Sequence, residues 1–138
     1  MTGAVVLDAS AAVRAVMDAG AQPALLSRIG DAAAVIAPTL LRAEVGNALW
    51  KYTRIGVMAP AELPARHREA MELIALFVDD ADLFPEVLTL AAASDHPVYD
   101  ALYAVTAKRH AAVLLTFDRR LHGLCGSERI ESALFAPG

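Results

Sequence analysis

The sequence predicts an α/β fold in which a mostly parallel sheet carries helices on both faces. Three observations predict it. Short apolar runs recur near residues 4–7, 33–37 and 111–117. Stretches of helical periodicity separate them. Two of the runs, the first and the last, stop on a carboxylate, Asp8 and Asp118.

Ala4-Val5-Val6-Leu7 has the β-branched, apolar character of a strand buried on both faces. Asp8 ends it, and Ser10 can cap a helix over residues 10–18 with Val13, Val16 and Met17 inward and Gly20 as its stop. The carboxyl end of such a strand is where open α/β sheets bind ligands, although Asp8 could equally do no more than end the strand and assist the helix N-terminus. A second helix covers residues 23–29, with Pro23 in its first turn and Gly30 after it. Residues 33–37 form the next strand, closed by Pro38.

Thr39 then caps a long helix to about residue 55, stopped by Gly56. Leu41, Val45, Ala48, Leu49 and Tyr52 make its apolar stripe, and Glu44 lies inside that stripe. An unpaired carboxylate is costly there, so Glu44 needs a partner such as Arg42, Lys51 or a backbone amide, or else a function. Residues 57–64 form a turn region, and 65–78 an amphipathic helix antiparallel to the previous one. The acidic run 79–82 reads as a solvated helix end without a catalytic role. Leu83-Phe84 opens a third strand or short edge, and residues 85–93 are helical.

Ser94-Asp95-His96-Pro97 signals a helix start, with Asp95 as a cap rather than a ligand. The helix over 98–110 is almost wholly apolar up to Lys108-Arg109, which predicts burial and places Tyr99 and Tyr103 in the core. Asp100 is the exception; it either answers the helix dipole or belongs to a site. Residues 111–118 repeat the opening design, ending on Asp118. A short helix through residue 124 and an edge strand at 129–131 complete the chain.

The 138 residues suit one domain spanning 1–138, and 57% of them are hydrophobic, above the usual ~45–50%. No charge-free stretch is long enough to span a bilayer, and nothing resembles a secretory leader, so the expected location is cytoplasmic. Cys125 is the only cysteine, which rules out an internal disulfide and a thiolate metal cage. His67, His96, His110 and His122 lack metal-ligand spacing and read as surface or cap residues. The net charge of −4 argues against broad electrostatic binding of nucleic acid, but leaves room for a basic rim around an acidic centre.

Right-handed crossovers bring all strand carboxyl ends to one sheet edge, where Asp8 and Asp118 can meet Glu44 and Asp100. At about 4 Å and an effective dielectric near 20, each pair of such anions costs about 4 kcal/mol. The cluster is tenable if protonated, paired or loaded with metal. Oxygen donors without histidine or thiolate select hard ions such as Mg²⁺ or Mn²⁺, and the matching chemistry is phosphodiester hydrolysis.

Val6-Leu7-Asp8-Ala9-Ser10, the stretch from Pro38 through Glu44-Val45-Gly46-Asn47-Ala48-Leu49, Tyr99-Asp100-Ala101-Leu102-Tyr103, and Leu115-Thr116-Phe117-Asp118-Arg119-Arg120-Leu121 together resemble the PIN domain, most of all its VapC-type toxin branch. The resemblance covers nearly the whole chain in order. It implies a three-layer α/β/α sandwich and a Mg²⁺- or Mn²⁺-dependent endoribonuclease, the toxin of a toxin–antitoxin pair. Asp8, Glu44, Asp100 and Asp118 match the family's acidic quartet, and Ser10 and Thr116 its small hydroxyl positions. A homodimer and an antitoxin that inserts an arginine-bearing segment are implied as well. In this reading Asp8, Asp100 and Asp118 make the main metal contacts and Glu44 acts from the opposite wall. Arg119 and Arg120, then Arg14, Arg42, Lys51 and Arg54, are the candidates for RNA phosphates.

Two other readings compete with this one. A phosphoacceptor receiver domain would want an acid pair after the first strand and a lysine after a late one; Asp8 stands alone and Thr116-Phe117-Asp118 carries no lysine. A non-catalytic binding module would keep the fold without turnover.

Overall fold

The computed structural model describes residues 3–137. Among them, five strands form one sheet: β1 (Val5–Leu7), β2 (Val35–Pro38), β3 (Leu76–Val78), β4 (Val113–Thr116) and β5 (Ser132–Leu134). Their order is β3-β2-β1-β4-β5, and each neighbouring pair is parallel. All carboxyl ends therefore share one edge. From β1 the chain builds outward to β2 and β3, then returns past β1 to add β4 and β5. The β1–β4 pair is thus the switch point of the sheet, where a crevice opens beyond the strand ends. Receiver domains run 2-1-3-4-5, so this order sets that rival aside.

The helices are α1 (Ala9–Met17), α2 (Pro23–Asp31), α3 (Leu41–Arg54), α4 (Leu63–Glu72), α5 (Asp80–Ser94), α6 (Val98–Arg109) and α7 (Arg119–Ser127). α1 packs on β1 and β4 and against α2, α3 and α4, whereas α6 packs on β1, β2 and β4 and against α5 and α7. The result is the expected three-layer α/β/α sandwich. Val6, Leu7, Leu114 and Leu115 are fully buried at its centre. Every residue of α6 from Ala101 through Ala107 is buried, because the helix has the sheet on one side and α5 on another. This explains its missing polar face.

Local expectations failed where tertiary contacts outweighed periodicity. The helix expected over 65–78 ends at Glu72, and Leu76–Val78 pairs with β2 as an edge strand. Ala75 N–H donates to Val35 O at 2.8 Å just before it. Leu83 and Phe84 lie inside α5, not in a strand. The acidic run starts that helix instead of ending one: Asp79 accepts from Ala81 N–H at 3.0 Å. Asp80 accepts from Leu40 N–H, and its own N–H donates to Thr39 Oγ1, both at 3.1 Å. Thr39 therefore ties α3 to α5 and does not cap α3. Asp95 closes α5 in a left-handed conformation, φ 55°, and Pro97 precedes α6. Gly30 falls within α2, Pro38 within β2, and the last strand is 132–134, not 129–131. Gly56, with φ 77°, follows α3 as expected.

Candidate active site

The site begins where β1 and β4 end side by side, with Leu7 opposite Leu115. Asp8 leaves β1 in extended conformation and caps α1 itself, accepting from Ala11 N–H at 2.9 Å. The expected cap, Ser10, sits inside the first turn and bridges the two strands. Its hydroxyl donates to Asp8 Oδ1 at 2.7 Å and accepts from Phe117 N–H at 2.9 Å. Thr116 Oγ1 donates to Asp8 Oδ2 and accepts from Asp118 N–H at 2.9 Å. Asp118 in turn caps α7, taking Arg120 N–H at 2.9 Å and Leu121 N–H at 3.3 Å on Oδ1. One chain of hydrogen bonds thus couples both strand-end acids through the two hydroxyls.

Glu44 arrives from α3 and Asp100 from the first turn of α6. Together with Asp8, Asp118, Ala9, Ser10, Tyr103 and Leu121 they line a cavity of about 140 Å³. All four predicted acids are therefore brought together, as are Ser10 at the wall and Thr116 just beneath. Other cavities are larger; one of about 570 Å³ between α5, α6 and α7 includes His96 and none of the four acids. Size and convergent carboxylates therefore single out different cavities, and the carboxylates are the chemically informative feature.

Two neighbours were missed or misread in the sequence. Glu44 is satisfied neither by Arg42 nor by Lys51: the Tyr103 hydroxyl, on a side chain 3% exposed, donates to its Oε1 at 2.5 Å. Tyr103 lies three residues after Asp100 on the same helix face, a spacing that could have disclosed it. Tyr99, expected in the core, is instead 58% exposed. The second neighbour is His96, whose buried Nδ1 lies 3.7 Å from Asp100 Oδ2 without a hydrogen-bond partner.

The acids repel one another and resist burial. Asp8, 4% exposed, has its carboxyl pushed up to about 6 by desolvation, against which the Thr116, Ser10 and Ala11 bonds act; Asp118 raises it further. Glu44 is raised by desolvation, opposed by the Tyr103 bond and reinforced by Asp100 and Asp80. Asp100 is raised by desolvation and by Asp118, with Arg120 and His96 opposing. Glu44 Oε2, Asp100 Oδ1 and Asp118 Oδ2 accept no hydrogen bond among the described residues. An all-oxygen donor set with mutual repulsion and free lone pairs fits a hard divalent cation. Among the described residues no three His, Cys, Asp or Glu side chains form a ready-made ion cage. Mg²⁺ commonly keeps several waters and binds through one or two carboxylates, so a ready-made cage is not a requirement of such a site.

Of the basic candidates, Arg120 alone stands at the acids, its Nε 3.9 Å from Asp100 Oδ2. Arg14 pairs with Asp18 and lies over Phe117, Arg42 stacks on Phe77 and Arg54 on Trp50. Arg119 borders a separate cavity beside Phe117 and Phe135. Lys51 lines a groove next to the acidic cavity. No helix among the described residues is long and apolar enough to cross a membrane.

The family model of the PIN domain matches residues 5–126. Two curated relatives from Pyrobaculum aerophilum, Ribonuclease VapC3 and Exonuclease VapC9, are 36% and 38% identical over 80 residues. Each match covers 56% of this chain, and 61% and 57% of the respective relative, so the chain spans about three fifths of their length. The crystal structure of PAE2754 from Pyrobaculum aerophilum superposes with a TM-score of 0.69 at 28% identity, over 87% of this chain and 78% of that one. The crystal structure of VapBC2 from Rickettsia felis, bound to a DNA fragment from their promoter, gives 0.65 at 13% identity. That second likeness covers 96% of this chain and 99% of the other, and it speaks to the fold alone.

Proposed function

The chain belongs to the PIN-domain family, and from that premise we propose that it is a Mg²⁺- or Mn²⁺-dependent endoribonuclease, the toxin of a toxin–antitoxin pair. The observation that carries the reading is the meeting of four carboxylates, from four separate elements, around one small oxygen-lined cavity at the sheet's switch point. The VapC names of the curated relatives support the toxin assignment.

Asp8, Asp100 and Asp118 would hold the cation, and Glu44 would face it from the opposite wall. Bound there, the ion supplies Lewis acidity, easing deprotonation of the attacking water and neutralising charge on the leaving oxygen. Thr116, Ser10 and Ala11 keep Asp8 fixed and favour its ionised form. Tyr103 holds Glu44 by Oε1, which leaves Oε2 to orient the water along the line of attack. Arg120 compensates Asp100 and is placed to turn toward a phosphate oxygen of the substrate. RNA is the substrate in this reading, a cognate antitoxin the protein partner, a homodimer the assembly, and the cytoplasm the place of action.

Cleavage of RNA by the wild type with Mg²⁺, with EDTA, and by Asp8→Asn tests the proposal. Activity that needs the ion and disappears in Asp8→Asn is expected; equal cleavage by both proteins would sink it. The open spacing of the acids favours one second reading, a non-catalytic partner-binding module. A calorimetric titration showing no Mn²⁺ uptake, with RNA left intact, would select that reading.

A further inference from the structure

A groove of about 310 Å³ lies beside the acidic cavity, lined by Ala9, Glu44, Asn47, Ala48, Lys51 and Tyr52. Ala9 and Glu44 also line the acidic cavity, so the two spaces adjoin. Glu44, Asn47, Ala48, Lys51 and Tyr52 follow the i, i+3, i+4, i+7, i+8 spacing of a single α3 face. The exposed side chains of Asn47 and Lys51 make no hydrogen bond or ion pair with the described residues. A free amide, a free ammonium and an aromatic ring therefore line one path that starts at a proposed catalytic acid.

We propose that this groove is the subsite for the unpaired nucleotide flanking the scissile phosphate, with Lys51 on the next phosphate, Asn47 on the base edge and Tyr52 against the base. The inference rests on the ribonuclease reading and adds the form of the substrate. The groove is at the small end of the ~300–1,000 Å³ range of ligand clefts, room for one nucleotide and not for a paired helix. Single-stranded RNA offers what these side chains can use: a base face for stacking, an unpaired edge for an amide, and a regular phosphate spacing. Asn47 and Lys51 are one helical turn apart, so a base and its adjoining phosphate can be met together.

The test measures affinity for a fluorescent unpaired oligoribonucleotide by anisotropy, with Ca²⁺ replacing Mg²⁺ to slow turnover, alongside Mn²⁺ affinity by calorimetry. Asn47→Ala and Lys51→Ala should each weaken RNA binding about five- to tenfold, with Mn²⁺ affinity kept. Lys108→Ala, across the molecule at the larger cavity, should bind like the wild type. The same oligonucleotide sealed in a duplex should bind weakly to the wild type and show no dependence on Asn47 or Lys51. Equal RNA affinity in wild type and both groove variants would overturn the subsite and leave the groove to a protein partner. An equal loss in Lys108→Ala would also overturn it, since the effect would be general charge. Groove-dependent binding without cleavage in Mg²⁺ would keep the subsite and reject the nuclease reading, so the two failures are distinguishable.

Discussion

Asp8→Asn should make the protein more stable at neutral pH while removing its activity. Burial holds the Asp8 carboxyl at about 6, against an ordinary value of 3.8. The folded protein therefore binds this proton more tightly than the unfolded chain does. Protonation favours folding, the contribution is fully present below pH 3.8, and it is lost as pH rises through about 6. At ~1.36 kcal/mol per pH unit the difference is worth about 3 kcal/mol. Of that, about 1.4 kcal/mol is recovered when the metal-free protein is taken from pH 7.5 to pH 5. Glu44 and Asp100 are raised too and act in the same direction. An asparagine can still accept from Ser10 and Ala11, but its amide requires the Thr116 hydroxyl to become an acceptor, at a cost of about 1 kcal/mol. The net expectation at pH 7.5 is a gain of about 2 kcal/mol. Urea unfolding of both proteins in EDTA at pH 5 and 7.5 is the assay. Asp8→Asn should lie above the wild type at pH 7.5, and its stability should change less between the two pH values. A variant less stable than wild type at pH 7.5, with a parallel pH dependence, would refute the reasoning.

Tyr103→Phe leaves Glu44 Oε1 without its donor, at a cost of about 1–3 kcal/mol in urea unfolding. Because that bond lowers the Glu44 carboxyl, its loss should move the acid limb of the pH–rate profile to higher pH; an unmoved limb would detach Tyr103 from the chemistry. Arg120→Ala removes a largely exposed guanidinium, so stability should change by less than ~0.5 kcal/mol. The dependence of log K for RNA on log[salt] should nonetheless become shallower by about one phosphate contact. Asp118→Ser keeps an N-cap for α7, whereas Asp118→Ala loses about 1 kcal/mol. Both should lose RNA cleavage, and thermal unfolding should separate them.

The sequence disclosed the acids because each breaks a local rule. Asp8 and Asp118 interrupt apolar runs, Glu44 lies in a buried stripe, and Asp100 opens a helix with no polar face to spare. Their neighbours were harder to read because they depend on pairings distant in sequence. Tyr103 meets Glu44 across 59 residues and Thr116 meets Asp8 across 108. The edge strand Leu76–Val78 followed a helical pattern with no break, and three partly exposed residues carry too little alternation to reveal a strand. Serine is a common N-cap, so the sequence favours Ser10 for that place; Asp8, expected to assist the helix N-terminus, is as good a cap and stands one place before the helix.

The double use of Asp8 shows how the site is built. Asp8 and Asp118 each end a strand, cap the following helix and line the acidic cavity. At the buried Asp8 a neutral serine would cap as well, without the cost of burying a charge. The two helix N-termini, with positive ends directed at the carboxylates, offset part of that cost. Thr116 and Ser10 offset more of it by binding Asp8 from the neighbouring strand and from the helix. What remains, burial first and mutual repulsion after it, raises the Asp8, Glu44 and Asp100 carboxyls, and a divalent cation would relieve it. Helix capping and the proposed cation site therefore meet in the same two residues.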